Sequence, residues 1–274
     1  AWLYRVAMEQ TANRDIPISE YCLLRPEPGS REVLLVFSEV NTPPGRFTGY
    51  KVFGGAGRNV IFLNCESDWF IHGVPGIGSD LDSTIEGLRG VMAEHLGQVD
   101  KLVTYGGSMG GYGALLYGAL LGADRAVACG AETVLNIPFG HSRAHLKGEQ
   151  FFLRPILENA SCAFDLYYGE FCFFDMVCAM HVMDVAGVSI TTVANRDHAV
   201  PGYLHDRYGL GRMVDAAFKG ELFVLSPEDT GGYLAHPGLI RLVMALRVAA
   251  EKGRQGPFKA VEAQLLKGLA RVGD

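Results

Sequence analysis

The sequence has no run approaching the roughly 20 uninterrupted apolar residues that a membrane-spanning helix needs, so no membrane span is expected. It has no excess of positive charge either: 24 Lys+Arg stand against 30 Asp+Glu, for a net charge of −6. That balance carries no global electrostatic signature for binding nucleic acid. There is no CxxC pair, and the six cysteines (Cys22, Cys65, Cys129, Cys162, Cys172 and Cys178) are scattered, several inside apolar runs. A thiol there behaves as a small buried hydrophobe. Neither a disulfide framework nor a metal site is expected, and a reducing compartment fits this cysteine usage. The first ten residues, AWLYRVAMEQ, lack the basic region and apolar block of a signal peptide, and the expected location is cytoplasmic. Also absent are GxxxxGK[ST], HExxH and an EF-hand loop, while Gly54-Gly55-Ala56-Gly57 is not followed by a helix in phosphate-binding register.

What is present suits a globular domain. With 274 residues and 49% hydrophobic content, the chain can bury a sizeable core, in one large domain or one domain with an appendage. The 35 glycines recur at turns between apolar runs. Val33–Phe37, Val60–Leu63, Leu102–Tyr105, Ala126–Cys129, Phe164–Tyr168 and Val188–Val193 read as strands. Between them fall helical spacings: Leu81, Ile85, Leu88, Met92 and Leu96, with Asp80 or Asp82 as cap; Gly110–Leu121; and Asp175–Val185. A further helix carries Leu204, Leu210, Met213 and Ala217. Such alternation predicts an α/β fold, a mostly parallel central sheet with helices on both faces. Residues 136–162 break the rhythm and make a candidate lid insertion. Beyond Gly220 the pattern changes again, and two runs around Leu239–Leu246 and Val261–Leu269 predict a C-terminal helical extension. The division expected is 1–220 for the main domain and 221–274 for the extension packed on it, whose helices are a candidate homodimer surface.

The most informative stretch is Lys101–Leu115, KLVTYGGSMGGYGAL. Gly106-Gly107-Ser108-Met109-Gly110 matches G-x-S-x-G, with a β-type run before it and a helical run after it, as a nucleophile elbow requires. A serine at so sharp a turn sits in a strained backbone, and side chains at −2 and +2 would collide. The turn also aims the N-terminus of the following helix at a developing oxyanion.

On SMGGYGAL the chain resembles the serine esterases of the α/β-hydrolase superfamily, over roughly residues 30–220 in element order. The resemblance implies Ser108 as nucleophile and the Met109 amide as one oxyanion donor. The second donor would come from the loop after the first central strand, in VFSEVN, at the Ser38 or Glu39 amide. A base and an acid should follow later strands in the order Ser, acid, His. Of eight histidines, His198 in NRDHAVPG and His236 in the run after Leu222 follow β-like segments. With His198 as base the acid falls at Asp175 or Glu170; with His236 it falls at Asp197. The first arrangement uses every strong strand once and is preferred, with Asp175 as acid. The Gly-x-x-Asp spacing common at this loop in the superfamily meets Cys172 instead.

The implied activity is hydrolysis of a carboxylic ester or related acyl bond by a Ser108–His198–Asp175 triad, with a small or acylated substrate and no metal or organic cofactor. Alternatives are an acyltransferase with the same triad and a catalytically degenerate interaction protein. Trp69 and His72, in SDWFIHG at the carboxyl end of a strand, are candidate substrate-binding residues beside Gly107.

Overall fold

The computed structural model describes residues 15–137, 140–148 and 150–232. Its centre is an eight-stranded sheet. In chain order the strands are β1 (Ile16–Ser19), β2 (Cys22–Arg25), β3 (Glu32–Phe37), β4 (Asn59–Leu63), β5 (Lys101–Gly107), β6 (Arg125–Cys129), β9 (Ala163–Gly169) and β10 (Val188–Val193). They lie in the order β1-β2-β4-β3-β5-β6-β9-β10. From β4 to β10 every pairing is parallel, whereas β1 and β2 add an antiparallel edge. That edge is unannounced in the sequence, because two four-residue strands joined at a tight turn show no periodicity.

Strands in the middle of such a sheet are covered on both faces, which is why they read as unbroken apolar runs. Alternate residues of β3 then separate: Val33, Leu35 and Phe37 enter one core, and Leu34 and Val36 enter the other. The first core is closed by α2 (Leu81–His95), α3 (Met109–Leu121) and α5 (Phe173–Val182). The second is closed by α1 (Tyr50–Phe53), α6 (Val200–Tyr208) and α7 (Leu210–Phe218). Helices thus lie on both faces, as expected. Asp80 caps α2 in a reciprocal capping box with Ser83. The one helix expected around residues 204–217 is two, broken at Gly209, whose φ of +80° ends α6.

Residues 134–157 leave the sheet. They form the short pair β7 (Val134–Leu135) and β8 (Phe151–Phe152), a 3₁₀ turn over His141–Ala144, and α4 (Arg154–Leu157). After α7 the chain runs back to the sheet edge, where Thr230 bridges Val193 and Asp229 accepts hydrogen bonds from Tyr203, Tyr208, Arg207 and Ser226. The C-terminal helices expected around 237–271, and His236, lie outside the described residues. Among the described residues, no helix is long and apolar enough to cross a membrane.

Candidate active site

The carboxyl ends of the parallel strands meet at one rim, where open α/β sheets bind ligands. Ser108 follows β5 directly and sits at φ 50°, ψ −118°, a conformation that costs an L-residue about 1–3 kcal/mol. Its flanking glycines are steric necessities. A Cβ on Gly106 would run into the Gly110 carbonyl, and one on Gly110 into the Phe37 carbonyl at the end of β3. Helix α3 can therefore begin at Met109, its first amide lacking an intrahelical acceptor.

His198 comes from the loop after β10. Its Nε2 lies 2.9 Å from Ser108 Oγ, and its Nδ1 lies 2.8 Å from Asp175 Oδ1. Asp175 is buried in the first turn of α5, and its other oxygen accepts from the Gly169 amide at 3.3 Å. The helix cap is Cys172, without a side-chain cap bond, so Asp175 is not there as a cap. Glycines also admit the His198 loop: Gly169 at the end of β9 touches the Asp197 carbonyl, and Gly130 after β6 leaves only 3.2 Å between a notional Cβ and the imidazole. Ser108, His198 and Asp175, distant in sequence, form one continuous hydrogen-bonded chain.

The electrostatics around His198 are acidic. Burial pulls its pKa down, but the Asp175 hydrogen bond and charge, followed by the charges of Glu132 and Glu39, leave it above its ordinary value. Burial pushes the Glu39 carboxyl up against the opposing pull of His198. Burial likewise raises Glu132, which accepts from Ser142 Oγ at 2.6 Å and Ser142 N at 2.9 Å. His141, on the 3₁₀ turn, stacks on His198 with ring centroids 4.2 Å apart and planes 26° apart. Burial and then repulsion from His198 lower its pKa.

Several expected site residues lie elsewhere. The Ser38 amide is not a free oxyanion donor: it donates to the Leu63 carbonyl at 2.8 Å, extending the β3–β4 ladder by one rung. The Glu39 amide donates to Thr48 Oγ1 at 3.1 Å. Trp69 is fully buried, its ring 5.5 Å from that of His145, so it packs its loop and lines no open pocket. His72 is exposed and borders a depression of about 700 Å³ with Glu66 and Asp68, whose walls include none of Ser108, His198 and Asp175. Gly107 is a packing position: a Cβ there would lie 2.6 Å from Glu39 Oε1 and 2.9 Å from Pro201 Cγ. Asp197 caps the next turn through the Ala199 amide at 3.0 Å, and the Glu170 carboxylate lies 3.4 Å from Thr192 Oγ1. Sequence reasoning missed Glu132 and the His141 stack. No local spacing signals them, because the connection 131–146 has no period of its own.

Neither a protein-family model nor a curated protein sequence matches the chain. Solved structures match it in fold. The capsule O-acetyltransferase of Neisseria meningitidis serogroup A superposes with a TM-score of 0.57 at 12% identity, over 73% of this chain and 93% of that one. A 2,6-dihydroxy-pseudo-oxynicotine hydrolase gives 0.54 at 13% identity, over 75% of this chain and 66% of its own. MPT51 (FbpC1) of Mycobacterium tuberculosis gives 0.52 at 10% identity, over 74% and 93%. At such identities the likeness speaks for architecture alone, and with the mostly parallel sheet and the helices on both of its faces it shows the α/β-hydrolase fold.

Proposed function

We propose that the protein is a serine hydrolase cleaving a carboxylic ester or a related acyl bond. The observation that carries this reading is the Ser108–His198–Asp175 chain, with links of 2.9 and 2.8 Å, at a strand-to-helix turn. Ser108 Oγ attacks the acyl carbonyl while His198 Nε2 takes its proton, and Asp175 fixes the imidazole and stabilises the imidazolium that forms. The Met109 amide receives the oxyanion. The Glu39 amide is the remaining donor on the β3 loop, available when the Thr48 hydroxyl yields it; each such donor contributes about 2.7–4 kcal/mol to the transition state. The alkoxide leaves with the proton from His198. Water, deprotonated by the same nitrogen, then releases the acyl group and restores Ser108.

The test is hydrolysis of p-nitrophenyl esters of graded acyl length. Ser108→Ala and His198→Ala should each lower kcat by about 10⁴–10⁶, and Asp175→Asn by about 10⁴. Turnover that survives Ser108→Ala in the folded protein would overturn the reading.

A further inference from the structure

His198 has company that hydrolysis does not need. One ligand-capable atom each from His141, Cys172 and His198 lies within 4.8 Å of the other two. These residues arrive from three separate loops. His141 stands on a turn held down by the buried Glu132 carboxylate through both the amide and the hydroxyl of Ser142, Cys172 opens α5, and His198 follows β10. Two imidazoles and a thiolate suit a borderline-soft cation such as Zn²⁺. Tetrahedral coordination at about 2.3 Å to sulfur and 2.0–2.1 Å to nitrogen would draw these atoms to about 3.3–3.6 Å of one another. His141 is exposed, so its ring can tilt out of the stack to complete the site, leaving a fourth position to water.

We propose that His141, Cys172 and His198 form an inhibitory Zn²⁺ site that shuts the hydrolase down by capturing its base. Both nitrogens of His198 already have partners, Nε2 with Ser108 and Nδ1 with Asp175. A metal bond at Nε2 therefore severs the nucleophile from its base, and one at Nδ1 severs the base from its acid. Binding forms the zinc–sulfur bond as the Cys172 thiol releases its proton to solvent. The inhibitory role rests on His198 acting as the base; the binding itself does not.

The experiment uses the whole, chelator-treated chain, with ZnCl₂ titrated by calorimetry into wild type, Ser108→Ala, His141→Ala and Cys172→Ser. Wild type and Ser108→Ala should bind one zinc per chain, and the other two variants at least about ten-fold more weakly. Co²⁺ in place of zinc should give a sulfur-to-metal charge-transfer band that Cys172→Ser abolishes. Zinc should block both ester turnover and labelling of Ser108 by a fluorophosphonate, with recovery on adding EDTA. Equal affinity in all four proteins, or no binding, overturns the site. Tight binding that spares Ser108 reactivity overturns the inhibitory role. A Ser108 unreactive even without zinc sinks the functional reading instead, and the calorimetry and cobalt band still decide the site.

Discussion

Ser108 is the residue where fold and chemistry make opposite demands, and a pair of substitutions separates them. At φ 50°, ψ −118° its Cβ is held where only glycine is comfortable, a strain of about 1–3 kcal/mol. Ser108→Ala keeps that strain and loses the hydrogen bond to His198. Ser108→Gly loses the same bond and removes the strain, but adds about 0.5–1 kcal/mol of unfolded-chain entropy. The difference between the two variants thus isolates the backbone term, and it should favour Ser108→Gly by about 1 kcal/mol. In a domain of this size that is a melting temperature higher by about 2–4 °C, read by circular dichroism. Neither variant should hydrolyse esters. Equal melting temperatures, or a more stable Ser108→Ala, would refute the claim that the serine is held in strain by the elbow.

Three further outcomes follow from the geometry. His198 must be neutral to accept a proton, and its pKa lies above the ordinary value of 6.5, so the acid limb of kcat/KM should fall above pH 6.5; in the residual activity of Asp175→Asn, having lost the main raising influence, it should move to lower pH. Gly110→Ala drives a methyl into the Phe37 carbonyl and should cost on the order of 3–5 kcal/mol, seen as loss of soluble, cooperatively melting protein. Asp229 is held well below the usual carboxylate range by Tyr203, Tyr208 and Arg207. The stability it adds over Asp229→Asn should therefore be full above about pH 4 and shrink as pH falls, a trend that melting curves at several pH values would show.

Much of this architecture is legible in the sequence. A strand covered on both faces is apolar, so VLLVF and VIFL announce themselves, as does AFDLYYG but for Asp165, whose buried carboxylate pairs with Arg125. Gly106 and Gly110 betray the elbow because a Cβ there would meet backbone carbonyls. The order of strands leads to His198, in the loop after β10, and leaves the acid after β9 open between Glu170 and Asp175, the latter in the first turn of α5. Other features depend on contacts that no local spacing encodes. Whether the Ser38 amide is free turns on β4 reaching Leu63 opposite it. Trp69 sits in an aromatic loop at the right rim, yet it is fully buried, with the ring of His145 from a distant turn beside it. Gly209 splits what reads as one amphipathic helix because a positive φ outweighs the continuity of the apolar face. The gathering of His141, Cys172 and His198 is wholly tertiary, assembled from loops 26 and 31 residues apart in sequence.

The central claim is that Ser108 is a nucleophile activated by His198, and a covalent probe reaches it without knowledge of the substrate. The protein, stripped of metal, would be treated with a fluorophosphonate and its intact mass and peptide map recorded. A single adduct on the peptide containing Ser108, absent from Ser108→Ala and formed far more slowly by His198→Ala, is the expected result. An adduct on any other residue, or a folded protein that takes up none, would contradict it.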